Sequence, residues 1–431
     1  MCFYVNLCIL AKTRINAGFD TLVEPFLIMQ TEVHMEIRKL KPEENVHRHL
    51  MSSICFSGDV GPEDRYAWLN NPEDHTHGYE DVWGAFDESG RLLSCMVLQE
   101  AHIRINGPPV KAGLVGGVTT LPEARNARCV RKIYEVIMPL MAKEGYVYSM
   151  LYPFSFPFYR KFGYEHGLTK QRASFPTSEL SKYPYPDGVK VHDKGGPWAD
   201  FAAVYNAFAK DKNIAMVRGE KEWEGILSRD PHQNREFTYI HYNPAGQPDG
   251  YILYSNNKDE HTIMDIKELA WTNKEGLYAM LGFIHGLRSE YYDVSWIVPE
   301  GLDIFSIVES SWDVKFHVDS ILMTRVMDVT KALLLLDAPA GENSVTIGVR
   351  DKFLPFNTGA YSISWKNGKL KVEKTEQPPD MEMDVETLSQ LTTGYLTPYE
   401  AQYRQDVTIH GKLAELISLF PRKNLYFMES F

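Results

Sequence analysis

The stretch PFSFPFYRKFGYE, residues 153–165, sets six aromatic side chains between Phe154 and Tyr164 and adds Pro153, Pro157 and Gly163. Proline cannot donate to a sheet ladder, so an ordinary core strand has no use for two of them. A rigid aromatic wall carrying one phenol set up for proton transfer is the other reading. The local pattern alone does not say which hydroxyl that is. A second concentration of chemistry lies upstream, in GGVTTLPEARNARCVRK (116–132). A strand ends there and a helix is expected to start near Arg125. Helix N-termini expose unpaired N–H groups and a partial positive charge, which suits a phosphate. Arg125, Arg128 and Arg131 add full charges. Taken by itself, such a segment is more often a solvated basic turn.

The remaining candidates are weaker. His75 and His77 sit in DHTHGYED with flanking acids, but an i, i+2 pair in a loop is a poor ligand pattern, and no metal is expected. No G-x-S-x-G, H-E-x-x-H or Walker A sequence occurs. The five cysteines are odd in number and form no C-x-x-C pair, which argues against a disulfide framework or zinc site and for a reduced, cytoplasmic setting.

The elements that must position these residues follow from patterning. VWGAFDESGRLLSCMVLQE (82–100) has two apolar runs about a DESG turn and reads as a hairpin. AHIRINGPPVKAGLVGGVTTLP adds another strand, a turn at NGPP and a strand from Lys111 to Thr120. Val130, Ile133, Tyr134, Ile137 and Met141 recur at helical spacing, with Pro139 expected to kink the last turn. GYVYSMLYP is the next strand. After a Pro-, Ser- and Tyr-rich linker (175–190), the same order of hairpin, strand, helix and strand recurs, which points to a duplicated fold. From Met323 a third, smaller unit of alternating strands and helices follows, and its ALLLL run (332–336) reads as buried helix. The fold class is α+β, with one helix packed on each mixed sheet.

The chain has 431 residues, enough for roughly two to four domains. Its net charge of −12 argues against nucleic-acid binding, which wants a basic surface, and mildly favours cationic partners such as amines. No segment is long and apolar enough for a membrane span; the MCFYVNLCIL run is interrupted by Lys12 and Arg14, and residues 1–34 read as a non-native or upstream-start extension.

In this order, strand, phosphate-type helix start, strand and then FYRKFGYE, the sequence resembles the GNAT N-acetyltransferase family. GGVTTLPE, LYPFSFPFYRKFGYE, MTRVMDVTKAL and the aromatic C-terminus extend the resemblance to the enhanced intracellular survival (Eis) acetyltransferases, over residues 35–431. The resemblance implies a catalytic GNAT domain (35–178), a second, degenerate GNAT-like domain (179–322) and a sterol-carrier-protein-like domain (323–431); the second unit's ELAWTNKEGLYAM lacks an Arg-rich helix start, so that domain is expected to be structural and to bind no CoA. It implies acetyl-CoA as cosubstrate, contacted by Val118, Thr119 and Thr120 on the strand, by Asn126, Ala127, Arg128, Cys129, Val130 and Arg131 at the helix start, and by Phe154 and Ser155. It implies Tyr159 as general acid and the α-carboxylate of Phe431 as general base. Aminoglycosides, polyamines or protein lysines are the implied substrates and a hexamer the implied assembly, with no nucleic-acid or membrane partner.

One residue departs from the family. Arg128 stands where a glycine is usual, and no glycine occurs from Val118 to Glu144. Glycine lets backbone approach a pyrophosphate closely. An arginine either pairs with the phosphate or crowds it, and the sequence leaves both open. The second outcome would make the chain a weak or inactive acyl-CoA- or lipid-binding protein.

Overall fold

The computed structural model describes residues 34–56, 78–228, 230–256 and 262–431. The expected extension before His34 and the His75–His77 pair lie outside the described residues. Everything that follows belongs to the unit Met35–Phe431.

The first third begins with strand β1 (Glu36–Lys39) and helix α1 (Asn45–Cys55). The DESG turn joins β2 (Val82–Phe86) to β3 (Leu92–Arg104), antiparallel as its residues predict, with Gly90 at φ +80° in the turn. β3 runs unbroken to Arg104, so AHIRI extends it rather than forming another strand. β4 (Pro109–Thr120) returns antiparallel to β3. Helix α2 (Cys129–Lys143) runs through Pro139 and buries the spaced face read from the sequence, including Ile133, Tyr134, Ile137 and Met141. β5 (Tyr148–Leu151) then pairs parallel to β4, and α3 (Phe156–Arg160) leads into β6 (Glu165–Pro176).

The middle third repeats this plan. It comprises β7 (Val189–Val191), α4 (Ala199–Phe208), α5 (Glu220–Leu227), the hairpin β8 (Glu236–Tyr242) and β9 (Pro248–Asn256), β10 (Ile263–Trp271), α6 (Lys274–Gly286), β11 (Asp293–Val298) and β12 (Lys315–Val326). β9–β10 is antiparallel and β10–β11 parallel, as β3–β4 and β4–β5 are. Both copies share one twelve-stranded sheet in the order β1-β2-β3-β4-β5-β12-β6-β11-β10-β9-β8-β7. β12 lies antiparallel between β5 and β6, so one strand running from Lys315 to Val326 spans residues 322 and 323 and completes the first copy's sheet.

The last third has α7 (Val329–Leu334), β13 (Glu342–Arg350), β14 (Gly359–Lys366), β15 (Lys369–Thr375), β16 (Met381–Asp384), α8 (Val385–Thr393), β17 (Thr408–Ile409) and α9 (Leu413–Leu419). Its five strands run β15-β14-β13-β16-β17. Asn367 and Gly368, at φ 51° and 72°, give β14–β15 the positive-φ turn that NG predicts. Its apolar residues, among them Ile347, Ile363, Met383 and Leu388, pack in one continuous core with Leu114, Leu168 and Val326 of the first sheet. Ala332, Leu333 and Leu336 of the ALLLL run are buried in it. Among the described residues no helix is long and apolar enough to cross a membrane.

Candidate active site

The two strands at the heart of the first copy part company. β4 and β5 pair only over Ala112–Val115 and Tyr148–Leu151, while β4 continues to Thr120. A register shift between Cys95 and Val97 and Gly117 at φ +54° turn the end of β4 away. The opening gives onto a cavity of about 900 Å³. Of the cofactor contacts expected from sequence, Val118, Thr120, Asn126, Arg128, Cys129, Val130, Arg131 and Phe154 line it. Thr119, Ala127 and Ser155 do not. Strand alternation turns Thr119 to the other face of β4, where it is buried with its hydroxyl 3.1 Å from Cys95 Sγ. Ala127 packs against the core, and Ser155 sits at the N-cap of α3. Phe158 and Phe162 of the aromatic segment also line the cavity, as do Cys55, Phe56 and Lys161, which the sequence reading did not single out. Cys55 and Phe56 close α1, a helix remote in sequence, and no local signal marks them.

The helix start lies later than expected. Pro122–Ala124 form a single 3-10 turn, and α2 begins at Cys129 rather than near Arg125. The cause is Arg128, whose φ of 59° and ψ of 24° are left-handed. For a residue with a Cβ that conformation costs about 1–2 kcal/mol, and glycine adopts it freely. The backbone therefore keeps the geometry of a glycine while the side chain is an arginine. Neither Arg125 nor Arg128 pairs with an acidic side chain among the described residues, whereas Arg131 bridges Glu135 at 3.0 Å. Lys161 adds a further cation to the lining.

Three tyrosines compete as the poised phenol, and their hydrogen bonds separate them. Tyr164 is fully buried, with its hydroxyl 2.7 Å from Ser149 Oγ. Tyr152 donates to the carbonyl of Glu429. The Tyr159 hydroxyl makes no hydrogen bond to a described residue. Its ring is buried among Phe154, Phe158 and Tyr164, at centroid distances of 5.3, 5.2 and 6.2 Å. Burial first, and Tyr164 second, push its pKa well above the ordinary phenol value, so it is protonated at neutral pH. Tyr159 itself does not line the cavity; Phe154 and Phe158, which flank its ring, do.

A close approach fixes the segment. Gly163 stands at φ +81°, and a Cβ there would fall on the Arg325 guanidinium. Arg325 is fully buried in β12, donates to the Phe162 carbonyl at 2.6 Å and pairs with Asp351 of the last third at 2.8 Å. Gly163→Ala should therefore cost more than about 2 kcal/mol, from backbone strain plus displacement of a buried ion pair. Urea unfolding checks this; a loss under about 0.5 kcal/mol would mean that the turn relaxes freely.

Phe431 lies on the other side of β4, in a separate cavity of about 340 Å³. Its carboxyl carbon is 3.2 Å from where a Cβ on Gly116 would stand, so a side chain at 116 would press on it. Its ring stacks on Tyr152 at 4.9 Å. Two residues earlier, Glu429 accepts from Arg218 Nε at 2.8 Å, and Arg218 holds Glu268 of β10 through two bonds of 2.7 and 2.6 Å. The middle third thus anchors the tail. Arg218 is a lone arginine in AMVRGEKEW, and nothing in its sequence neighbourhood announces this.

The fold has counterparts among known proteins. Two models described as acetyltransferase (GNAT) domains match residues 36–167 and 215–315, and a sterol carrier protein domain matches 329–428. No curated protein matches the sequence significantly. Solved structures with the same fold include a GCN5-related N-acetyltransferase from Anabaena variabilis ATCC 29413, with TM-score 0.78 and 19% identity, covering 92% of this chain and 100% of that one. Eis1 from Mycobacterium abscessus has TM-score 0.77 and 18% identity, with coverage of 92% and 100%. A GCN5-related N-acetyltransferase from Kribbella flavida has TM-score 0.76 and 17% identity, with coverage of 93% and 99%. The chain is an acyltransferase of the GNAT family, with the Eis-like plan of two GNAT domains followed by a sterol carrier protein domain.

Proposed function

We propose that the chain transfers acetyl from acetyl-CoA to a primary amine, with Tyr159 as general acid and the α-carboxylate of Phe431 as general base. The observation that carries this reading is the two-sidedness of β4. Val118 and Thr120 line the basic cavity, and two residues before Val118 the same strand backs the carboxyl group of Phe431. A thioester at the opening between β4 and β5 would lie between the two.

The chemistry needs both groups. A lysine-like amine, with pKa about 10.4, is only about 0.04% neutral at pH 7, a handicap of roughly 4.6 kcal/mol. A carboxylate near pKa 3.5 cannot strip the free ammonium outright, since that transfer is uphill by about 9 kcal/mol. Desolvation in the pocket lowers the amine's pKa, and the carboxylate takes the proton as the C–N bond forms and the nitrogen becomes acidic. The Tyr159 hydroxyl, held protonated and without a competing bond, donates to the departing thiolate. A backbone N–H of residues 118–120 would receive the developing oxyanion.

The first-turn N–H groups of α2, with Arg125, Arg128 and Lys161, would hold the pyrophosphate. Arg128 lines an open cavity without an acidic partner, which favours pairing over crowding. Arg128→Gly keeps the left-handed backbone and removes only the guanidinium, so acetyl-CoA affinity should fall about tenfold. Calorimetry reads this directly, and tighter binding would mean that the side chain crowds the cofactor. In the middle third the Asn273 side chain already caps Gly276 N–H of α6 at 2.8 Å, which supports a structural role for that domain. Release of free CoA on mixing acetyl-CoA with primary amines tests the reading; release no faster than without amine would reject it.

A further inference from the structure

We infer that two copies of the chain pair edge to edge through residues 315–319 of β12, antiparallel about a twofold axis at His317. β12 is an interior strand over only part of its length. One edge pairs with β6 from Lys315 to Thr324. The other pairs with β5 only from Met323 to Val326. Among the described residues no strand pairs with that second edge between Lys315 and Ser320. The N–H and C=O groups of an open edge are a template for another strand. The side chains agree: Lys315 to Asp319 are all exposed, whereas Leu322 to Val326 are buried. Both faces of the strand are thus open over these five residues.

The occupant is read from the segment itself, KFHVD. A protected edge carries charges that repel a second copy. Here Lys315 and Asp319 have opposite signs and stand equally far from His317. In antiparallel pairing centred on His317, Lys315 falls opposite Asp319 of the second copy and Phe316 opposite its Val318, and symmetry makes each pair twice. Opposite charges and apolar side chains set across a ladder both stabilise it. A slip of two residues, the smallest that keeps the faces aligned, sets Lys315 against Ile321 or against His317 instead. His317 Nε2 holds one oxygen of Asp319 at 3.0 Å, which leaves the other for the second copy's lysine. Behind His317 and Asp319 on β6 stand Arg172 and Lys170, and Arg172 is already paired with Asp265. The opposite face is apolar. Phe316 lies opposite the buried Ala173 of β6, yet it is 41% exposed and Val318 is 55% exposed. Phe305 packs on Phe316 at 5.6 Å and is itself exposed, and Trp312 just before the strand is 93% exposed. A stable interface buries roughly 1,200 Å² or more in total, so the contact extends beyond five paired residues, and these two aromatics flank the strand where it must widen.

Two measurements on the full chain test this, and neither depends on the acetyltransfer proposed above. The first reads the register. Cα atoms directly opposite in an antiparallel ladder are about 4.5–5.5 Å apart, within the span of a disulfide, whereas Lys315 would lie about 13 Å from its own copy. Mild oxidation should therefore join His317→Cys into a covalent dimer on a non-reducing gel, far beyond any seen with Lys315→Cys or the unaltered protein. The second is sedimentation equilibrium, which reads the contact without a cross-link. Lys315→Glu sets like charges opposite each other at both ends and should raise the dissociation constant of the twofold contact by about tenfold. Adding Asp319→Lys to that variant restores opposite charges and should restore the affinity. The inference is overturned if His317→Cys does not cross-link, or if Lys315→Cys cross-links equally well. It is overturned equally by an unaltered protein that stays a single chain at micromolar concentration, by association that Lys315→Glu leaves unchanged, or by a loss that the double exchange does not restore.

Discussion

Replacing Tyr159 by phenylalanine lowers kcat by about 10²–10⁴-fold with little change in KM or stability, if the hydroxyl protonates the leaving thiolate. The size follows from losing one general acid from a transition state that makes a thiolate in a desolvated cleft. The small stability effect follows from the surroundings. The ring packs against Phe154, Phe158 and Tyr164, all of which phenylalanine can still touch, and the hydroxyl makes no hydrogen bond to a described residue. Removing a buried polar group without a partner is neutral to mildly stabilising. The same exchange at Tyr164 should do the opposite. It removes a buried hydrogen bond, leaving Ser149 Oγ only its bond to the Gly113 carbonyl, and costs stability, about 0.5–1.5 kcal/mol, with kcat changed only through folding. Steady-state kinetics and urea unfolding on the two variants separate the roles; equal kcat for Tyr159→Phe and the unaltered enzyme would remove Tyr159 from the mechanism.

The second large effect is expected at the other end of the reaction. Adding a single glycine after Phe431 converts its carboxylate to an amide and moves the charge by up to about 3.8 Å. The loss in kcat should be about 10²–10³-fold, since a group displaced by about an ångström already costs about that much. Stability should hold. The tail is anchored before Phe431, by Arg218 on Glu429, Tyr152 on the Glu429 carbonyl and the Phe431 ring on Tyr152, and none of these contacts uses the carboxylate. An unimpaired glycine-extended enzyme would show that the base lies elsewhere.

Much of the fold was legible because it rests on local patterning. The DESG and KNG turns, the spaced face of α2 and the recurrence of hairpin, strand, helix and strand all show in alternation and turn chemistry. What did not show depends on contacts between distant segments. Nothing in KFHVDSILMTRV says that it inserts between β5 and β6, because its pairing is decided by two strands far upstream. The late start of α2 was hidden for another reason. Arginine ordinarily favours helix, and nothing in its sequence neighbourhood marks Arg128 as left-handed. At the site, the cavity-lining residues around α2 could be read as a group because they adjoin in sequence. Cys55, Gly116 and Arg218 could not, since each acts through a neighbour that only the fold supplies.

The most direct test of the account is a crystal structure with acetyl-CoA and a non-reactive amine analogue. The account predicts the pyrophosphate on the N–H groups of residues 129–131 with Arg128 turned toward it. It predicts the thioester sulfur within about 4 Å of the Tyr159 hydroxyl and the amine nitrogen within about 3.2 Å of the Phe431 carboxylate, on the opposite side of β4. A thioester more than about 8 Å from Tyr159, or an amine bound away from Phe431, would contradict it.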